Sequence, residues 1–379
     1  MTSSIEILLC DTPALMERFI RLPLRLNKAD PAWRPPLLQE RREALSPQSN
    51  PFFRHAEAAF YLAVQDGKDV GRISAQIDEL AQPDPRGPAG WFGMIAGENE
   101  DAVFEALFAA AEAWLKQRGC VWSLGPFNLS VNEEVGLLVD GFDTPPMVMM
   151  GHDQPYVGPR IEARGYTKAK DVFAWLYDIR IDVPAAVRRR IERTRRPGIT
   201  VRHLNFKQYD KEVSDLTSIV NDAWSDNWGF TPLTVEETRH LAKSLKPLIS
   251  ERLIWFVDVD GEAAGFIVGL PNLNEAIRDL NGKLLPFGWL KLLWRLKVTG
   301  VKSGRVPLMG VRKKYHGEFG GALLPFLLID ALRREALKGG YTTVELSWIL
   351  EDNEGMNRIN QALGGTKYKT YRIYERKIG

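Results

Sequence analysis

An internal repeat limits the fold of this chain more than any other feature. Asp66-Gly67 lies between Ala58–Val64 and Asp69–Ile77, two runs rich in β-branched and aromatic residues. Asp260-Gly261 lies in the same way between Leu253–Val259 and Ala263–Leu270. Each reads as a β-hairpin, because Asp-Gly supplies the positive φ angles that a two-residue turn requires. Gly71 and Gly265 extend the match to Asp-Gly-x-x-x-Gly in both places. Further on, a helix with apolar positions Val103, Leu107, Ala110 and Trp114 ends at Arg118-Gly119, before a strand over Cys120–Leu124. Its counterpart runs from Pro325 to Lys338, ends at Gly339-Gly340 and precedes a strand over Thr342–Ile349. Glycine just past the last turn is a common helix stop. Last, Gly165-Tyr166-Thr167-Lys168-Ala169-Lys170 and Gly364-Gly365-Thr366-Lys367-Tyr368-Lys369 each lead into a strand, ending at Tyr177 and Arg376.

The order hairpin, helix, strand, short helix, terminal strand thus occurs twice, offset by 194 residues at the turns and 199 at the last pair. Duplication predicts two α/β domains, each a mixed sheet flanked by helices, over 1–180 and 199–379. The 379 residues are enough for two cores. Residues 181–198 form the expected linker, with six arginines between Arg188 and Arg196. It reads as a solvated helix or as a docking patch for a phosphate-rich cofactor or anionic lipid.

The copies differ by insertions, and insertions in loops are where sites are commonly built. The second copy has about 27 extra residues between its hairpin and helix end, within 272–300; the first has about 22 after its strand, in the GPFNLSVNEEVG region. Composition narrows the chemistry. Lys plus Arg (50) nearly balances Asp plus Glu (48), so nothing global argues for nucleic acid. Two distant cysteines and five histidines contain no metal-ligand spacing, and no metal is expected. The N-terminus lacks a signal-peptide pattern, and no apolar run approaches the roughly 20 residues that span a bilayer.

The pattern over Arg305–Arg376 is strand, Gly-containing loop, helix, strand, Asn-containing loop, helix, strand, and it resembles the GNAT acyltransferase superfamily. VRKKYHGEFGGALL is similar to that superfamily's acyl-CoA loop, where backbone N–H groups close on a pyrophosphate before a helix N-terminus. The resemblance implies acyl-CoA as co-substrate, held by Val311, Lys314, Gly317, Gly320 and Gly321, with Lys313 beside them. It also implies an oxyanion donor at the backbone N–H of Gly310 or Val311. Asn353 resembles the asparagine that steadies the pantetheine arm; as a helix N-cap it would also be ordinary. Glu318 and Pro325 depart from the usual glycine pattern. Taken with Asn221–Glu237, Ser347–Gly365, Tyr368–Arg376 and GPFNLSVNEEVGLLVDGFD, the chain resembles a bacterial tandem-GNAT family that includes the ceramide synthases. That implies transfer of a long-chain acyl group to a sphingoid base, 3-oxosphinganine or sphinganine. The alternatives are an N-acyltransferase for another amine, a Fem-like aminoacyl transferase, or an inactive GNAT protein that binds acyl-CoA or lipid. A cytoplasmic protein, peripheral to the inner membrane, is expected.

N-acylation from a thioester needs an unprotonated amine, a stabilised oxyanion and a proton for the thiolate. The first-copy insertion is the densest titratable cluster flanked by apolar sequence. His152 is the first choice as base, with Glu134 and Asp143 to orient it or to hold substrate, and Asn128, Asn132 and Tyr156 nearby. Glu345, alternating with Val344 and Leu346, is the rival base; Tyr371 and Tyr374 are candidate acids or strand packing. Trp224 and Trp228, with Phe230, are candidate walls of an acyl tunnel or plain core. Leu284–Lys297, read as one helix, carries Leu285, Trp289, Leu292, Leu293 and Leu296 on one face and Lys291 and Arg295 on another, a pattern suited to a membrane surface, an acyl chain or an ordinary core.

Overall fold

The computed structural model describes residues 4–194, 197–245, 250–316 and 323–379. The chain divides into two compact units. The first comprises residues 1–172, 277–288 and 369–379, and the second 173–276 and 289–368. This differs from two linear halves. The terminal strand of each copy contributes residues to both units, because strand pairing is set across the sheet and not along the chain.

In the first unit the elements are β1 (Glu6–Leu9), α1 (Pro13–Leu26), α2 (Leu38–Ala44), β2 (Ala56–Gln65), β3 (Lys68–Asp78), β4 (Ala89–Gly97), α3 (Asp101–Gln117), β5 (Trp122–Gly125), β6 (Phe127–Asn128), β7 (Glu134–Val135), β8 (Leu137–Asp140), α4 (Val157–Ala163) and the start of β9 (Thr167–Asp178). β1 to β4 pair antiparallel, and β4 pairs parallel with β5. One core gathers α3 residues Val103, Phe104, Leu107 and Phe108 with Phe92, Tyr166 and Tyr374; another joins Phe19, Leu38, Phe52 and Phe60.

The second unit holds the rest of β9, α5 (Ala185–Thr194), β10 (Ile199–His203), α6 (Tyr209–Trp224), α7 (Val235–Leu245), β11 (Ile254–Val259), β12 (Glu262–Pro271), α8 (Leu273–Ile277, whose last residue falls in the first unit), α9 (Gly288–Trp294, from its second residue), β13 (Ser303–Val311), α10 (Leu324–Lys338), β14 (Thr343–Leu350), α11 (Glu354–Ala362) and the start of β15 (Thr366–Lys377). β10 to β13 are antiparallel, and β13 pairs parallel with β14. The later part of β15 pairs with β5 and β8 in the first unit.

The repeat is visible in the backbone itself. Asp66 and Gly67 have φ of 50° and 76°, and Asp260 and Gly261 have 51° and 84°. Two successive positive φ angles match the twist of the flanking strands, which is why Asp-Gly occupies both turns. Pro325 sits in the first turn of α10, where its missing N–H leaves no bond unmade.

Two expectations are corrected. The Arg-rich segment is not a solvated linker: Val187 and Ile191, four apart on α5, are buried in the core of the second unit beside α10. Leu284–Lys297 is not one helix. Pro286 has no N–H to continue a helical ladder, so α9 begins only at Gly288, and a π-helical turn replaces it over Arg295–Thr299. Of the expected apolar face only Leu292 is buried; Leu285, Trp289 and Leu293 are exposed.

Candidate active site

In the second unit β13 and β14 separate like the arms of a V. Their pairing runs from Ser303–Thr343 to Val306–Leu346 and stops. β13 is bent there by a bulge: Leu270 and Val268 of β12 stand opposite Arg305 and Leu308, so three steps on β13 match two on β12. Beyond the bulge, Arg312 donates its N–H to Ala264 O at 2.8 Å. Antiparallel ladders alternate, so Gly310 faces β12, while Met309 and Val311 turn their backbone groups toward the side that β14 has left. Of Gly310 and Val311, it is therefore Val311 whose N–H opens into the V.

Side chains of α6 and the following turn fasten this strand end. The Trp224 indole Nε1 donates to Met309 O at 3.2 Å, and Asp222 accepts the Lys313 N–H at 2.7 Å. Arg312 reaches Ser218 Oγ at 3.0 Å, and Lys313 Nζ donates to Ser225 Oγ at 2.5 Å and pairs with Asp226 at 2.5 Å. His316 Nε2 lies 2.7 Å from Val311 O; a carbonyl only accepts, so this nitrogen carries the proton. Lys314 pairs with exposed Glu262 at 2.5 Å, which holds its ammonium above and the carboxyl below their ordinary values. Trp228 is half-buried. Gly317, Gly320 and Gly321 lie outside the described residues, as does Glu318.

Glu345 lies one residue before the last β13–β14 pair and is wholly buried. Arg305 of β13, its register partner, approaches it at 3.4 Å with neither side chain exposed. Ser347 Oγ donates to Glu345 at 2.6 Å, and the half-buried Tyr368 hydroxyl donates to its other oxygen. The Trp348 ring covers the Arg305 guanidinium at 4.4 Å. Asn353 caps α11, accepting the Met356 N–H at 3.0 Å. A cavity of about 570 Å³ lies elsewhere in this unit, between α10 and β10, lined by Ile199, Val201, Trp255 and Leu327.

The first-copy insertion builds a different place, in the first unit. Its β6 runs against β4, so closely that a Cβ on Gly93 would stand 1.8 Å from Phe127 O. Gln76 donates to the same carbonyl at 2.5 Å, and Asn128 Oδ1 accepts the Met94 N–H at 2.7 Å. Asn128 also donates to Glu134 at 2.8 Å, and Arg41 pairs with Glu134 at 3.1 Å. Burial pushes the Glu134 carboxyl up, but Arg41, Asn128 and Arg72 outweigh it and hold it below its ordinary value. Burial raises Glu133 to about 8, against the pull of Arg41, and raises Asp153 to about 7, although Asp153 accepts the Leu138 N–H at 3.0 Å. His152 is buried with Nε2 at 3.0 Å from Asp30; Nδ1 has no partner among the described residues. Burial lowers its pKa despite Asp30.

Tyr156 is committed to Gly97 O at 2.7 Å, the Asn132 N–H donates to Ser130 Oγ, and Asp143 is exposed. Tyr371 and Tyr374 sit in the first-unit part of β15, bonded to Gly151 O and Glu162. The expected residues thus fall into two groups, Val311, Lys314, Glu345, Asn353, Trp224 and Trp228 in one unit and the insertion residues in the other. The sequence reading passed over Arg305, Tyr368, His316, Asp222, Arg41 and Arg72. Arg305 had a signal, a cation inside the apolar strand Ser303–Val311.

Comparison with known proteins fits this architecture. No protein-family model matches the chain. The tandem GNAT protein from the clavulanic acid biosynthesis pathway superposes with a TM-score of 0.57 at 14% identity, covering 99% of each chain. A GCN5-related N-acetyltransferase from Sphaerobacter thermophilus superposes with 0.51 at 14% identity, over 98% of this chain and 96% of that one. These likenesses establish the fold. Protein YghO of Escherichia coli K12 is 44% identical over 96% of this chain and 93% of its own. The bacterial ceramide synthase of Caulobacter vibrioides is 58% identical over 97% of this chain and 96% of its own. With that identity along almost its whole length, and the duplicated GNAT fold beneath it, the chain belongs to the bacterial ceramide synthase family of N-acyltransferases.

Proposed function

We propose that this protein transfers a long-chain fatty acyl group from acyl-CoA to the amine of a sphingoid base, 3-oxosphinganine or sphinganine. The amine nitrogen bonds to the thioester carbon, the carbon–sulfur bond breaks, and the amine proton ends on the coenzyme A thiolate. The observation that carries this reading is the β13–β14 fork with the Val311 N–H open inside it, followed by Lys313 and Lys314. Such a donor suits the oxyanion of an attacked thioester, and the two lysines suit the coenzyme phosphates. The sphingoid base is suggested by the likeness to the ceramide synthase of Caulobacter vibrioides.

Among the three base candidates, Glu345 belongs to the strand that borders the fork, whereas His152 and Glu134 lie in the other unit. We assign Glu345 the amine proton, with the half-buried Tyr368 hydroxyl as its link outward. Glu345→Gln is expected to lower kcat by about 100-fold or more, the range of a lost general base. His152→Ala and Glu134→Ala report whether the first unit shares that role.

Membrane association is part of the proposal. Among the described residues no helix is long and apolar enough to cross a membrane. Of the nine strongly exposed large hydrophobic side chains among the described residues, however, seven fall between Leu285 and Val298, a stretch with Lys291, Arg295 and Lys297 and no acid. Tryptophan and leucine interspersed with cations suit a peripheral hold on an anionic leaflet of the inner membrane, from the cytoplasmic side. The decisive experiment is coenzyme A release from palmitoyl-CoA by the purified protein, with and without 3-oxosphinganine, with mass analysis of the product. Amine-dependent release and an N-palmitoyl product are expected. Saturable binding without release would overturn the enzyme reading in favour of an acyl-CoA-binding protein.

A further inference from the structure

We propose that Trp224 and His316 convert the free end of β13 into an edge that only donates hydrogen bonds, and that Trp224 thereby positions the thioester carbonyl. This rests on the acyl-CoA reading above.

A strand that has lost its neighbour ordinarily presents N–H and C=O groups in turn. For an acyl-transfer fork that is self-defeating. The N–H groups attract the thioester oxygen and the charge that grows on it, while the carbonyls beside them repel both. Here both outward carbonyls beyond the bulge are occupied: Met309 O by the Trp224 indole at 3.2 Å, and Val311 O by the His316 imidazole at 2.7 Å. The N–H groups of the same two residues face the same side and have no hydrogen-bond partner among the described residues. The edge is also held against rotation by Asp222 at the Lys313 N–H and by Arg312, which donates to Ala263 O at 2.9 Å.

The equivalent strand end of the first unit shows the opposite outcome. Hairpin glycines Gly71 and Gly265 pair with Gly97 and Val311, so these two correspond. There Tyr156 takes the Gly97 carbonyl, but Asn128 takes the Met94 N–H, so one donor is spent along with one acceptor. In the second unit no side chain among the described residues takes the Met309 or Val311 N–H. Because Trp224 is on a helix and its indole is half-buried, it acts through the strand and is a positioning residue.

The test uses Trp224→Phe, which keeps an aromatic plate and deletes the N–H. Steady-state rates with octanoyl-, myristoyl- and stearoyl-CoA should show kcat lowered about tenfold at every length, a fraction of what losing a direct oxyanion donor costs. KM for acyl-CoA should stay within about twofold, and Trp224→His, with a ring N–H, should recover part of the rate. A loss that grows with chain length, or no loss, would overturn the proposal and make Trp224 a wall of the acyl channel. Should Trp224→Phe fold poorly, exposed His316→Phe should show the same uniform loss to a smaller extent. An isotope-edited infrared spectrum of bound [1-13C]palmitoyl-CoA separates this inference from the choice of amine. A lowered carbonyl frequency in the wild type that moves back in Trp224→Phe supports it even where sphingoid bases are not acylated. An unshifted band in the wild type overturns it.

Discussion

The two copies start from the same hairpin, helix and strand and treat the gap beside their bulged strand in opposite ways. In the first unit the chain leaving β5 turns back as β6, and the insertion fills the place with its own peptide. In the second, β14 departs and no described segment returns. The insertions follow the same contrast. That of the first copy is folded inward around Arg41, Glu134 and Asp153; that of the second holds Trp289, Trp294 and Val298 out to solvent. The duplicated scaffold is preserved while the two edges differ, one closed by its own chain and the other open among the described residues. A bulge alone does not make a binding site. What decides is whether the neighbouring polypeptide reclaims the edge.

The largest effect expected from breaking this contrast is at the open fork. Glu345→Ala removes the carboxylate that Arg305 faces where neither side chain is exposed, and should cost about 3–5 kcal/mol, read from urea unfolding. A loss near zero would mean water already reaches that pair. Next, one substitution made in both copies tests the closure directly. Gly93→Ala drives a Cβ into Phe127 O, where only 1.8 Å is available, whereas Gly310→Ala meets Ala223 Cβ at 3.2 Å. The first should cost about 3 kcal/mol by overpacking and loosen β6, the second under about 1 kcal/mol. Equal costs would show that β6 is not tightly seated.

A pH experiment sharpens the description of the closed unit. Glu133 is raised from 4.5 to about 8 by burial. The folded state then binds a proton that the unfolded chain has released, so this group lowers stability as pH rises from about 4.5 through 8. Glu133→Gln should match the wild type at pH 4 and melt higher at pH 9; parallel melting curves at both would count against a buried carboxyl. The smallest stability effect belongs to the outward insertion. Trp289→Ser with Trp294→Ser should shift stability by under about 0.5 kcal/mol per site yet abolish flotation with phosphatidylglycerol vesicles. Retained flotation would return the segment to another role.

Features written in neighbouring residues were legible in the sequence. The Asp-Gly turns, α10 with Pro325 in its first turn, and β14 were read within a residue or two, because each depends on local φ preferences or apolar spacing. β4 was not. Ala89–Gly97 is rich in glycine and alanine and buried nearly throughout, so it lacks the alternation that marks a half-buried strand. The site followed the same rule. Val311 was reached through a family likeness, and its choice over Gly310 needed the ladder. The Trp224–Met309 bond joins residues 85 apart and the His152–Asp30 pair residues 122 apart. Nothing in either local sequence announces such partners.

The last strand carries a consequence for how the molecule can be divided. Tyr371, Ile373 and Tyr374 of β15 are nearly inaccessible, and Lys369–Gly379 belongs to the unit built mainly from the beginning of the chain. A gene cut at the midpoint would deprive the first copy of the strand beside β5 and leave its buried aromatic neighbours uncovered. The first copy expressed without residues 369–379 is therefore expected to fold poorly, since that unit includes them.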